Sequence, residues 1–154
     1  MSEQLSALEE LTICQQLTSL KGRYCRSLDA QDWPTFQALF APDATMDFRG
    51  AGSTLGGNDL LHGAAQIVDT IRAANVGITS VHQCHTPEFT VSSPTEATAI
   101  WHLASHLRWP EGSPVRAKDG FGYYYDTYVK LGGEWKIKLT RLARILNEDV
   151  SAGR

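Results

Sequence analysis

The run Gly122-Tyr-Tyr-Tyr-Asp-Thr-Tyr-Val-Lys-Leu-Gly-Gly-Glu-Trp-Lys-Ile-Lys-Leu-Thr-Arg141 decides the fold that this sequence predicts. Two stretches rich in aromatic and β-branched residues flank a Gly-Gly pair, a composition typical of a β-hairpin. Similar alternation recurs upstream. Strands are predicted over residues 45–49, 79–92, 96–109, 119–131 and 134–146. The second half of the chain is therefore expected to form a long antiparallel meander.

The first half of the chain has helical periodicity. Apolar residues at three- and four-residue spacing predict amphipathic helices over residues 4–28 and 60–74. Asn58 or Asp59 is expected to cap the second of these, and Asp32 is expected to be the N-cap of a short helix between them. Helices followed by a meander predict an α+β domain in which helices pack on one side of a curved sheet.

Composition and charge bound the function. The chain has 154 residues, 42% hydrophobic and 20% charged, and a net charge of −3, which fits one globular domain over residues 1–154. Without a basic block, neither a nucleic acid nor an anionic membrane is an expected partner. Three unpaired cysteines and an N-terminus without signal-peptide features predict a reducing compartment, with the cytoplasm as the default location.

Asp29 and His82 are the first candidate catalytic residues. Asp29 ends the first predicted helix, and His82 follows the third. A carboxylate that holds an imidazole in one tautomer leaves the other ring nitrogen as a usable base near neutral pH. If the fold brings the two together, the protein has the equipment for proton abstraction.

Arg141 is a second candidate, on the strength of strand alternation in the last strand. The inward face is predicted to carry Trp135, Ile137, Leu139, Arg141, Ala143 and Ile145. The outward face is predicted to carry Lys136, Lys138, Thr140, Leu142 and Arg144. An inward guanidinium needs a partner or a wet cavity, because an unpaired buried charge is costly. Arg141 would otherwise reach solvent beyond the core or pair with Asp47.

Histidines are frequent, yet their spacing argues against a metal site. On a strand, residues three apart point to opposite faces and residues four apart lie roughly 13 Å from each other. Neither His82 with His85 nor His102 with His106 can therefore chelate one ion as a local pair. A metal site that pools residues from several strands is the weaker alternative, and no metal or organic cofactor is predicted. A pocket in the curved sheet is expected to be lined by Trp33, Phe48, Trp101, His102 and Tyr124 and to favour a flat or cyclic apolar ligand.

Two segments give the chain a family resemblance. The segment Leu28-Asp-Ala-Gln-Asp-Trp33, with Leu39-Phe-Ala-Pro-Asp-Ala44 after it, resembles the opening of the SnoaL-like branch of the nuclear transport factor 2-like superfamily. The run Gly122–Arg141 resembles that branch's usual ending. The resemblance covers roughly residues 8–146. It implies a cystatin-like cone, in which a strongly curved mixed or antiparallel sheet surrounds a deep pocket closed by three helices.

Within that branch the chain is most similar to scytalone dehydratase, bile acid 7α-dehydratase and hexachlorocyclohexane dehydrochlorinase. The resemblance implies an aspartate–histidine dyad made by Asp29 and His82. Auxiliary catalytic positions in the relatives match Tyr24, His106 and Arg141. Two tyrosines that hold a catalytic water in scytalone dehydratase are replaced by Leu28 and Phe48, which argues against scytalone itself as substrate.

The function implied is that of a dehydratase-like lyase, without a cofactor, acting on a small cyclic carbonyl compound. A non-catalytic small-molecule binder, an isomerase or cyclase, and an assembly subunit like the small subunit of ring-hydroxylating dioxygenases are the alternatives. Leu103, Leu107 and Leu142 are expected among charged neighbours on the convex face of the sheet. That surface predicts a homodimer or homotrimer.

Overall fold

The computed structural model describes residues 5–51 and 59–151, and these parts contain three helices and one six-stranded sheet. The helices are α1 (Ala7–Asp29), α2 (Trp33–Ala38) and α3 (Ala64–Ala74). The strands are β1 (Phe40–Gly50), β2 (Leu60–His62), β3 (Thr79–Ser93), β4 (Glu96–Arg108), β5 (Val115–Leu131) and β6 (Glu134–Ser151). None of the helices in these ranges is long and apolar enough to cross a membrane.

Local signals explain where the first two helices begin. Ser6 caps α1 in a reciprocal capping box, in which the Ser6 backbone N–H donates to the Glu9 carboxylate at 2.8 Å and the Ser6 side chain accepts from the Glu9 backbone. Asp32 caps α2 as predicted, since its carboxylate accepts from the Thr35 backbone N–H at 3.2 Å. The short helix α2 then turns the chain into the sheet.

The region around residue 60 corrects the sequence prediction. Leu60–His62 form β2, antiparallel to β1, and α3 begins only at Ala64 after Gly63. Asp59 is therefore not a helix cap; its carbonyl accepts from the Phe48 N–H at 2.7 Å. Asn58, the other predicted cap, lies outside the described residues. Two adjacent leucines satisfy strand and helix periods equally, and pairing with β1 selects the strand.

The sheet is mixed, with strand order β2-β1-β6-β5-β4-β3. The β1–β6 pair is parallel and the other neighbouring pairs are antiparallel. One hydrophobic cluster extends from Ile13 on α1 to Leu142 on β6, so the helices cover the concave face. This is the α+β cone that the resemblance implied.

Two β-bulges decide which side chains of β6 face the cone. In the β5–β6 pairing, Tyr128 lies opposite Ile137 but Thr127 lies opposite Leu139, so Lys138 is an extra residue. An extra residue reverses the alternation beyond it. The second irregularity lies at Gly122, where a Cβ would stand 2.1 Å from the Ala143 carbonyl oxygen. Glycine is required at this close approach.

Candidate active site

A cavity of about 300 Å³, open to solvent on one side, occupies the concave side of the sheet. It is lined by Tyr24, Leu28, Phe48, Ile71, Ala74, Asn75, Ile78, His82, Leu107, Trp109, Lys118, Tyr124, Leu142 and Arg144. The lining comes from α1, α3 and five strands or their ends, so the sheet curvature and the helices together create the space. A larger groove of about 530 Å³ is more open and runs along α1, α2 and the β5–β6 turn, away from His82.

Asp29 and His82 meet at the edge of this cavity. The Asp29 Oδ1 atom lies 2.7 Å from His82 Nδ1, and Asp29 Oδ2 accepts the His82 backbone N–H at 2.8 Å. The Ser80 hydroxyl also donates to Oδ1 at 2.9 Å. With a carboxylate against Nδ1, the neutral imidazole keeps its proton on that nitrogen, and Nε2 remains available as an acceptor. Nε2 has no hydrogen-bond partner among the described residues.

The chain turn after α1 positions Asp29. Gln31 adopts φ 55°, a left-handed conformation uncommon for a residue with a side chain. Its amide donates to the Ile78 carbonyl at 3.1 Å and to the Asn75 carbonyl at 3.3 Å. These bonds tie the end of α1 to the segment that leads into β3. The aspartate and the histidine are thus held from both sides of their contact.

Tyr24 and Tyr124 lie side by side in the cavity wall. Their ring centroids are 5.8 Å apart in an edge-on arrangement, and both side chains are buried. Burial raises the pKa of Tyr124 to about 12 and raises that of Tyr24 as well. Both phenols therefore stay protonated at neutral pH and can donate hydrogen bonds to a ligand. The resemblance implied Tyr24; Tyr124 was expected only as a pocket residue.

A buried ion pair beneath these rings was not predicted from the sequence. Lys21 Nζ donates to Asp126 Oδ2 at 2.8 Å and stands 3.8 Å from the Tyr124 ring centroid. Asp126 also accepts from the hydroxyls of Tyr128 and Thr140. One signal could have revealed the pair. Lys21 lies on the apolar stripe of α1, four residues after Leu17. A lysine on the buried face of a helix indicates a buried partner for its charge.

Arg144, not Arg141, is the arginine of the cavity. The bulge at Lys138 turns Thr140, Leu142 and Arg144 inward, and it turns Arg141 onto the convex face, where Arg141 stacks 4.0 Å above the Tyr125 ring. The prediction of an inward Arg141 is therefore wrong. Arg141 is exposed, so the alternative of a guanidinium that reaches solvent is confirmed. Arg141 lies opposite Asp47 in the β1–β6 pairing, but the ion pair of Asp47 among the described residues is with Arg49 at 2.8 Å.

The two histidines predicted for the site on β4 also lie on the convex face. His106 lies 3.0 Å from Asp119, and His102 stacks on the His85 ring and meets the Tyr123 ring edge-on. Their neighbour Leu107 lines the cavity, and alternation turns His106 away from it. The catalytic assignment of His106 and the pocket assignment of His102 are therefore contradicted. On a strand, a shift of one residue in the alignment with the relatives moves a side chain to the opposite face.

Only some of the aromatic residues predicted to line the pocket lie in the cavity wall. Phe48 and Tyr124 line the cavity, whereas Trp33 packs on Phe36 at the start of α2 and Trp101 lies deeper in the core. Trp101 donates from Nε1 to the Tyr128 hydroxyl at 2.9 Å. Trp101 therefore contributes to the hydrophobic core and not to the cavity wall.

The leucines expected on the convex face point inward. Leu107 and Leu142 line the cavity, and Leu103 is buried in the core. The prediction of a homodimer or homotrimer was based on these leucines at the convex face, and the structure does not place them there.

Comparisons with known proteins show which family this architecture matches. Residues 9–141 match the SnoaL-like domain family. The protein named probable cyclase FGR4, from Gibberella zeae, is 26% identical over 129 residues, which cover 81% of this chain and 86% of that protein.

Solved structures resemble the whole fold. A scytalone dehydratase-like protein from Novosphingobium aromaticivorans superposes with a TM-score of 0.82 at 20% identity, over 96% of this chain and 94% of that one. The hexachlorocyclohexane dehydrochlorinase LinA-type3 of Novosphingobium barchaimii gives a TM-score of 0.78 at 14% identity, over 97% of both chains.

Proposed function

Because the chain belongs to the SnoaL-like domain family, we propose that it is a cofactor-independent lyase that eliminates a small leaving group from a cyclic, carbonyl-bearing substrate. Family and structural neighbours support a small-molecule-converting enzyme in general terms. The observation that carries the finer proposal is the 2.7 Å contact between Asp29 Oδ1 and His82 Nδ1 at the edge of this cavity.

In this reaction His82 acts as the base. Its Nε2 takes a proton from the carbon next to the substrate carbonyl, and the electron pair forms an enolate. The enolate then collapses to a carbon–carbon double bond as the C–O bond to the hydroxyl breaks. The imidazolium returns the proton to the departing hydroxide, so water leaves and the enzyme is regenerated. Asp29 stabilises the transient imidazolium across the Nδ1 contact.

The cavity wall supplies groups for the developing negative charge. Tyr24 and Tyr124 present protonated phenols, which can donate to an enolate oxygen. Preorganised donors of this kind are worth several kcal/mol in a site that excludes water. Leu28, Phe48 and Leu142 supply apolar surface for a ring.

A second His–Asp pair provides a matched control for the test. His106 and Asp119 make a comparable 3.0 Å contact on the convex face. We expect His82→Ala and Asp29→Asn to lower turnover of cyclic β-hydroxy ketones by roughly 10²- to 10⁴-fold, the usual contribution of a general base. His106→Ala and Asp119→Asn are expected to leave it unchanged. Formation of the conjugated enone is followed by ultraviolet absorbance, and circular dichroism checks the fold.

Full activity in His82→Ala or Asp29→Asn would refute the dyad. Tight retention of a ligand that no variant alters chemically would favour the non-catalytic binding protein instead. The resemblance to a cyclase makes ring formation the second candidate reaction, since it begins with the same proton abstraction. Deuterium exchange at the carbon next to the carbonyl without release of water would indicate that isomerase or cyclase branch.

A further inference from the structure

The charged side chains in the lining of the cavity are cations. Among the described residues that line it, Arg144 and Lys118 are cationic, and none is an aspartate or glutamate. The carboxylates close by each have a partner: Asp29 contacts His82, Asp126 pairs with Lys21, and Asp149 lies 3.5 Å from Lys118. A lining with cations and no carboxylate favours an anionic ligand over a cationic one on that side of the cavity.

Arg144 is the more telling of the two cations. Its Nη1 donates to the Ser105 hydroxyl at 2.8 Å, and no carboxylate lies within 4.0 Å of it among the described residues. Arg49, Arg72 and Arg108, which are more exposed, each have an aspartate partner. Burial accordingly lowers the pKa of Arg144. A partly buried guanidinium whose hydrogen-bond partner is a neutral hydroxyl has no negative charge beside it, and an anionic ligand would supply that charge.

The strand opposite Arg144 is shaped to receive its guanidinium. A Cβ on Gly120 would lie 2.1 Å from Arg144 Nη1 and 2.7 Å from Cζ, so the planar group rests directly on the β5 backbone. Lys118 precedes Gly120 by two residues and shares its face of β5. Lys118 forms a loose ion pair with Asp149: its Nζ lies 3.5 Å from Asp149 Oδ1, and the Asp149 side chain is half exposed. The two cations therefore lie along one edge of the same cavity.

We propose that the ligand of this cavity is a cyclic carboxylate whose anionic group binds Arg144, with Lys118 as a second, longer-range cation. This proposal rests on the proposed function, in that it takes the cavity of His82 as the substrate site. Arginine presents two parallel N–H donors that match the geometry of a carboxylate. A cavity of about 300 Å³ accommodates a one- or two-ring skeleton beside that group.

The experiment compares two probes of the same shape, 2-naphthoate and 2-naphthamide, by isothermal titration calorimetry at neutral pH. We expect the carboxylate to bind at least about tenfold more tightly, the scale of a charge-assisted hydrogen bond. Arg144→Gln should abolish the preference, and Lys118→Gln should reduce it. Gly120→Ala, which displaces the guanidinium while retaining its charge, should also reduce it.

Arg141→Gln is the matched control, because Arg141 lies three residues away on the convex face and shares the residue type. It should leave the preference intact. A preference below about threefold, no saturable binding of 2-naphthoate, or equal effects of Arg141→Gln and Arg144→Gln would each overturn the proposal. The calorimetric measurement involves no turnover. Failure of the carboxylate proposal is therefore distinguishable from failure of the proposed lyase activity, which the His82→Ala variant tests.

Discussion

Replacement of Lys21 by methionine tests how the closed end of the cone is stabilised. Lys21 and Asp126 are almost completely buried, with side-chain exposures of 1% and 0%, and their charged atoms lie 2.8 Å apart. Methionine keeps much of the aliphatic stem and removes the charge. The variant leaves the Asp126 carboxylate in the core with two hydroxyl donors, Tyr128 and Thr140, and without a cation.

The expected loss is about 3–5 kcal/mol in the free energy of unfolding, the usual cost of removing one partner of a buried pair. The double variant Lys21→Met/Asp126→Asn should cost much less than the two single variants together. In it no charge remains, and the asparagine oxygen still accepts from Tyr128 or Thr140. Lys138→Met is the control, because Lys138 pairs with Asp43 at the surface, where their side chains are 38% and 74% exposed. Its cost should be below about 1 kcal/mol.

Urea unfolding followed by tryptophan fluorescence measures the wild type, the two single variants Lys21→Met and Asp126→Asn, the double variant and Lys138→Met, and equal m values would justify the comparison. A Lys21→Met cost below about 1 kcal/mol would refute the reasoning, as would full additivity in the double variant. The pH dependence provides a further check. Burial acts to lower the pKa of the Lys21 ammonium, but the Asp126 carboxylate outweighs it and the net shift is upward. The stabilisation is therefore present through neutral pH and lost only as pH rises through that raised pKa.

Two other predictions concern glycines and tyrosines. Gly122→Ala should lower the free energy of unfolding by about 1–3 kcal/mol or more, because the added Cβ would collide with the Ala143 carbonyl oxygen. Gly22→Ala should raise it by about 0.5–1 kcal/mol, because Gly22 lies in α1 with open space around it. Thermal unfolding compares the two variants, and equal effects would contradict the bulge geometry. Since burial raises the pKa of Tyr124 to about 12, the unfolded chain loses that proton first and stability falls as pH rises above about 10. Tyr124→Phe should flatten that decline in alkaline unfolding experiments, and an unchanged slope would show that Tyr124 does not cause it.

Much of the fold follows from short-range signals. The helix over residues 4–28 and the strands of the meander were predicted within a few residues, because their periods and turn residues are local properties. Leu60–His62 escaped prediction because two adjacent leucines fit either period, and only the partner strand β1 decides between them. The partner of Lys21 could not be predicted, because Asp126 lies 105 residues away along the chain and the periodicity of α1 reports only local spacing.

The sequence by itself determined that Asp29 lies at the end of a helix, that His82 lies near the start of a strand, and that helices precede a long meander. Each of these depends on side-chain spacing within one segment. Only the tertiary structure decided that Arg144 faces the cavity and Arg141 faces away. A sheet that curves into a cone must bend, and the antiparallel β5–β6 pair bends at bulges whose positions depend on both strands. One extra residue at Lys138 therefore exchanged the two arginines, which alternation within the last strand alone could not reveal.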